Sequence, residues 1–118
     1  MEKLNKETPY GRVNITKQAI SKVVGDEVTS SYGVGGIVSN GKDKGKILSE
    51  DEYYKGIIIS KEKDSYTIDI HICILFPLKI TEIINEVQKK VKYALQKVFS
   101  INFKSVNIYV EGLLIEKQ

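Results

Sequence analysis

The chain has 118 residues and a mass of 13.3 kDa, a length that closes one hydrophobic core and not two. Its 42% hydrophobic and 28% charged content is that of a globular protein, which argues against global disorder. The net charge of +3 rests on 18 basic residues of which only Arg12 is arginine; without the planar guanidinium fork, sequence-specific reading of base edges is disfavoured, while weak salt-sensitive binding to polyanions is not.

Residues 1–9 read as a disordered N-terminal lead, because Met1-Glu2-Lys3-Leu4-Asn5-Lys6 mixes charges with no apolar block behind it and so carries no secretory signal. Residues 10–115 read as the single domain. Tyr10 to Ile15 predicts a short strand, with Val13 and Ile15 on one face. Thr16 offers a hydroxyl to cap the helix that follows, in which Ala19, Ile20, Val23, Val24 and Val28 recur at helical spacing and Gly25 weakens the end. Residues 29–55 form the principal loop: Gly33 to Val38 has room for a short strand, Asn40-Gly41 is a turn, and Lys42 to Glu52 is charged and mobile.

Tyr54 to Ser60 and the run from Tyr66 predict a hairpin joined by the polar Lys61 to Ser65. In the second strand Tyr66, Ile68, Ile70, Ile72 and Ile74 alternate with Thr67, Asp69, His71 and Cys73, so one face is buried and the other polar. This run, Ile68 to Leu78, is the richest in apolar residues. It is interrupted by Asp69, His71 and Pro77 and falls short of the roughly 20 residues that span a bilayer.

A helix from about Ile80 to Phe99 carries Ile83, Ile84, Val87, Val91, Ala94, Leu95 and Val98 on one stripe. Glu82 and Glu86 lie early and Lys89, Lys90, Lys92 and Lys97 late, the sense that the helix dipole favours, with Glu86 to Lys90 as a supporting pair. A last strand, from about Lys104 to Leu114, points Val106, Ile108 and Val110 inward and Asn107, Tyr109 and Glu111 outward. Residues 116–118 are a tail. The fold class is α+β: a small mixed or antiparallel sheet with two helices packed on one face, in the order β-α-(β)-β-β-α-β.

Three patterns carry a hint of chemistry, and each has a plainer explanation. Gly36 to Asp43 matches the phosphate-binding pattern G-x-x-x-x-G-K, but Asp43 stands where a magnesium-binding hydroxyl belongs and no helix follows. Gly33-Val34-Gly35-Gly36 fits the loose G-x-x-G of a KH nucleic-acid domain without the flanking helices. Asp69, His71 and Cys73 share a strand face and hint at a nucleophile, base and orienting acid. Neighbours on one strand face stand roughly 6.7 Å apart with parallel side chains, which hinders hydrogen bonds within the row and gives a metal no tetrahedron. The single cysteine, Cys73, has no partner for an internal disulfide, in keeping with a reducing compartment.

Taken in order, Tyr10-Gly11-Arg12-Val13-Asn14-Ile15-Thr16, Tyr32-Gly33-Val34, the strand Thr67 to Leu75, Ile80-Thr81-Glu82, Glu86 to Val91 and Val106 to Gly112 resemble the bacterial alkaline shock proteins, also described as envelope stress response or Gls-type general stress proteins. The resemblance spans nearly the whole chain. It departs at Thr81, where members often have proline, at Gly25-Asp26 in the first helix, and at Thr29-Ser30-Ser31. It implies a non-enzymatic cytoplasmic protein linked to envelope or general stress homeostasis, in some members recruited to the membrane by an anchor protein, with no shared active site, metal or cofactor.

The expectation is therefore a binding or scaffold module with a protein partner, such as a membrane anchor or a second copy. The partner-binding residues expected are His71, Asn107 and Tyr109 on the outer sheet face and Gly33, Lys42 and Lys44 in the loop. The alternative is a weak lysine-based binder of nucleic acid, KH-like, or of an anionic membrane surface through the late lysines of the second helix.

Overall fold

A computed structural model describes residues 3–76 and 79–115; Pro77 and the tail expected at 116–118 lie outside the described residues. The elements are β1 (Lys3–Thr8), β2 (Gly11–Thr16), α1 (Lys17–Thr29), β3 (Val34–Ile37), a 3-10 helix (Glu50–Lys55), β4 (Ile57–Glu62), β5 (Ser65–Phe76), α2 (Ile80–Ala94), whose end widens into a π-helical turn (Leu95–Phe99), and β6 (Phe103–Ile115). The fold is α+β, as the alternation of periods predicts.

The long strand β5 organises the sheet. β6 runs parallel to it from Tyr66↔Phe103 to Phe76↔Ile115. Along its other edge β4 pairs antiparallel with the first half, Ile57↔Ile70 to Glu62↔Ser65, and β3 with the second, Val34↔Ile74 to Ile37↔Ile72. β3 and β4 therefore lie end to end and meet at Gly56, where an added Cβ would stand 2.3 Å from the Val38 carbonyl oxygen. Ile68, Ile70, Ile72 and Ile74 point to one side and are fully buried against Ile20, Val24 and Val28 of α1, Val87 and Val91 of α2 and Leu95 of the π-helical turn. Burying side chains of this size contributes about 1.5–3 kcal/mol each, so this layer is what holds the two helices to one face.

Local signals act as the sequence predicts at several points. Thr16 Oγ1 accepts a hydrogen bond from the Ala19 amide at 3.1 Å, the N-cap of α1. Ser100, with φ of 55°, ends the helical run in the left-handed conformation. Glu82 stands in the first turn of α2 and Lys92 in the last. The Glu86–Lys90 pair is not among the ion pairs between described residues.

Four differences from expectation have physical causes. Within residues 1–9, read as a disordered lead, β1 pairs with β2 from Lys3↔Thr16 to Thr8↔Gly11, and Leu4 is buried in the core. The turn is closed by Thr8 Oγ1, which donates to the Gly11 carbonyl at 2.9 Å and accepts from the Tyr10 amide at 3.2 Å. In the loop at 29–55, Val38 bridges to Ile47, and Glu50–Lys55 forms the 3-10 helix where a mobile stretch was expected. The β4–β5 hairpin closes in two residues rather than five, because Lys63 accepts a left-handed φ of 56°. Lastly, the outer face of β5 is not simply solvated: His71 and Cys73 are buried.

Candidate docking surface

On the outer face of the sheet the parallel register sets Asp69 beside Asn107 and His71 beside Tyr109. Asn107 Nδ2 donates to Asp69 Oδ1 at 2.9 Å. Beyond Ile72↔Val110 the register slips, so that Cys73 faces Gly112 and Glu111 becomes the extra residue of a bulge. A bulge re-aims its side chain: the His71 Nδ1–H donates to Glu111 Oε1 at 2.8 Å, which fixes the tautomer and the plane of the ring. The Tyr109 ring lies on that plane, centroids 4.8 Å apart and 15° from parallel. His71 is left 7% exposed while Tyr109 keeps 44% of its surface in solvent. The result is an exposed aromatic held by a buried, hydrogen-bonded imidazole.

Next to this platform opens a cleft of about 230 Å³ between the C-terminal half of β6 and the turn at 39–47. Cys73, Glu111 and Gly112 line it, with the half-exposed Ile47 and, beside Cys73, Leu114 at its walls. The turn is ordered by backbone bonds, Ser39 N to Lys46 O at 2.8 Å and Gly45 N to Ser39 O at 2.9 Å, and by the Val38–Ile47 bridge. Cys73 Sγ lies 3.7 Å from the Gly36 carbonyl, and burial pushes its thiol pKa up, which disfavours the nucleophilic thiolate.

Of the residues expected to bind a partner, His71, Asn107 and Tyr109 come together, His71 as the buried support rather than as a contact. Gly33 is buried at the start of β3; its φ of 87° suits glycine, and its carbonyl accepts from the Leu75 amide at 2.8 Å. Lys42 and Lys44 are exposed on the 39–47 turn but do not line the cleft. The Gly33–Gly36 pattern runs into β3, not between two helices, and the segment after Lys42 turns back toward Ile47 instead of entering a helix. Asp69, His71 and Cys73 each find a partner off their own strand, on β6 or β3, and not one another. Sequence reasoning missed the role of Glu111 and the walls Ile47 and Leu114. A glycine inside a strand pattern, Gly112, was the available sign of a bulge there.

Among the described residues no helix is long and apolar enough to cross a membrane, and no group of three or more His, Cys, Asp or Glu side chains is placed to hold a metal ion. No solved structure matches the chain at a significant level. Over 111 residues, 92% of each chain, it is 32% identical to a Bacillus subtilis protein named "Uncharacterized protein YloU". Two Streptococcus pyogenes proteins also match: Spy1614 at 25% over 92% of each chain, and Spy1535 at 27% over 91% of this chain and 82% of the other. The family model of the alkaline shock proteins, described by its "cell envelope-related function", matches residues 5–115, and so takes in every segment that carries the resemblance. The chain therefore belongs to the alkaline shock protein family, and its function is related to the cell envelope.

Proposed function

We propose that this protein is a non-enzymatic binding module of the cytoplasm that serves cell-envelope or general stress homeostasis by docking protein partners on the outer face of its sheet. The observation that carries the reading is Tyr109, an exposed ring stacked on the buried His71, whose other edge is fixed by Glu111. Aromatic side chains held in place before binding lose little conformational freedom on association, which is why rigid tyrosines recur as interface anchors. Ile47, half exposed, and Leu114 at the adjoining cleft extend this anchor into an apolar patch rimmed by polar groups. The dispersal of Asp69, His71 and Cys73 onto separate partners, and a thiol kept protonated by burial, favour a surface over a catalytic centre.

The test is site-specific photo-cross-linking in cells with a photoreactive residue in place of Tyr109. Tyr10, which is fully exposed in the β1–β2 turn, serves as the control position. A discrete protein adduct at position 109 and none at position 10 is the expected result. Equal, diffuse labelling at both positions, or none at 109 in a folded chain, refutes the assignment.

A further inference from the structure

β6 is an edge strand. It is 13 residues long, β5 occupies one side of it, and among the described residues no strand occupies the other. A long open edge presents a row of unpaired amides and carbonyls that readily accept another strand. From α2 the Gln88 side-chain amide donates to the Val106 carbonyl at 2.9 Å, so the helix satisfies one backbone group near the start of the strand.

Beside that point, between α2 and β6, lies a groove of about 220 Å³ lined by Gln88, Lys89, Lys92, Phe103, Lys104 and Val106. Its floor is apolar and its rim is cationic. Lys89 and Lys92 stand one helical turn apart, and Lys104 is the extra residue where the register slips between Tyr66↔Phe103 and Thr67↔Ser105. Among the described residues none of the three lysines is in an ion pair.

We propose that the free edge of β6 takes up an extended acidic segment of a protein partner as an added strand, with its carboxylates in the Lys89–Lys92–Lys104 groove. The proposal rests on the binding-module reading and adds the chemistry of the partner to it. Successive side chains of a strand point to opposite faces, so a segment with acids at alternate positions places them all toward α2 and its remaining side chains toward Asn107 and Tyr109 on the outer face. Apolar residues at those remaining positions meet the exposed Tyr109 ring. A second copy of the chain fits this edge poorly, because its own Lys104 and lysine-rimmed groove bring like charge to the seam. A nucleic acid would satisfy the lysines but supplies no strand backbone for the edge.

The experiment uses the full, isotopically labelled chain and a short acetylated peptide of alternating Glu and Val, with amide hydrogen exchange read by NMR. Peptide binding is expected to slow exchange at β6 amides. Replacing all three lysines, Lys89→Gln, Lys92→Gln and Lys104→Gln, is expected to weaken binding about tenfold, the sum of three exposed ion pairs, with the melting temperature unchanged. The same peptide N-methylated at every residue, which keeps its charge but loses the donors of both edges, is expected not to bind.

Equal binding of the N-methylated peptide overturns strand addition, as does single-stranded DNA competing at the lysines while exchange at the β6 amides that face away from β5 is unchanged. Protection, in the free chain, of the β6 amides that face away from β5, together with a concentration-dependent mass, assigns the edge to a second copy and overturns it too. If the peptide fails while the cross-link at position 109 persists, the edge assignment falls and the outer-face module stands; if both fail, both fall.

Discussion

Replacing Gly25 by alanine sets two effects of opposite sign against each other. In a solvent-exposed helix the exchange stabilises by about 1 kcal/mol, because alanine loses less backbone entropy on folding than glycine does. In α1, however, Gly25 is buried under the ring of Tyr53, and a Cβ there would stand 2.0 Å from Cδ2, 2.6 Å from Cε2 and 2.7 Å from Cγ. No shift of a few tenths of an ångström relieves such an overlap, so the ring must leave its seat. Tyr53 is half-buried and packs against the core; expelling about 100 Å² of its surface costs about 2.5 kcal/mol. The net expectation for Gly25→Ala is a loss of about 1.5 kcal/mol, or roughly 6 °C in melting temperature for a domain of this size.

The decisive measurement is a double-mutant cycle by urea denaturation. Tyr53→Ala alone should destabilise by about 2.5 kcal/mol, and Gly25→Ala in that background should stabilise by about 1 kcal/mol, since only the propensity difference is left. A Gly25→Ala variant that is neutral or more stable with Tyr53 present, or that loses the same amount in both backgrounds, refutes the reasoning. Tyr53 belongs to the 3-10 helix that follows the 39–49 segment, so the same substitution should also speed amide exchange around Ile47, at the wall of the outer-face cleft.

Thr16→Ala removes the acceptor for the Ala19 amide and should cost about 1 kcal/mol, while Thr16→Asn keeps an acceptor and should cost little; thermal unfolding distinguishes them. Gly56→Ala drives a methyl group against the Val38 carbonyl at the joint of β3 and β4, and the loss should exceed about 3 kcal/mol and show as insoluble or unfolded protein on expression. Glu111→Ala leaves the His71 Nδ1–H buried without its acceptor, at a cost of about 1–3 kcal/mol, and should release the Tyr109 ring, seen as loss of ring-current shifts between the two side chains. Burial raises the Cys73 thiol pKa above its unfolded value, so the native chain keeps the proton longer. The contribution of Cys73 to stability should therefore be constant below about pH 8.5 and fall as pH rises beyond it, a component of the decline that Cys73→Ala removes, and alkylation of the native thiol should be slow until denaturant is added.

What was legible in the sequence is what burial writes into it. The alternation from Tyr66 to Ile74 and the helical stripe through Ile83, Val87 and Val91 report a one-sided burial, and the side chains lie accordingly. β1 was not legible, because Lys3–Thr8 holds a single apolar residue, Leu4, and its strand state depends on pairing with β2 across a turn. The 3-10 helix was hidden behind the acidic Glu50-Asp51-Glu52, since its docking depends on a glycine a whole element away. On the outer face the sequence placed Asn107 and Tyr109 correctly but missed that His71 is covered, because its cover comes from a register slip in another strand that re-aims Glu111. Non-local geometry of this kind leaves a trace only at Gly112.

The topology also explains why the outer face and the β6 edge are the surfaces left for binding. Two parallel neighbours cannot be joined by a tight turn, so the chain must cross over between β5 and β6, and α2 is that crossover. The crossover helix packs on the same face as α1, and together they bury Ile68, Ile70, Ile72 and Ile74. Both helices being spent on one face, the other has only the 39–47 turn to cover it, over its β3 end, and the last strand to be added, β6, has only the helix beside it and no strand beyond it among the described residues. β6 thus contributes to three environments at once: Val106, Ile108 and Val110 to the core, Asn107, Tyr109 and Glu111 to the outer platform, and its unpaired backbone to the edge. Any partner that engages the platform and any strand that joins the edge must meet along it, so occupancy at one should alter amide exchange at the other.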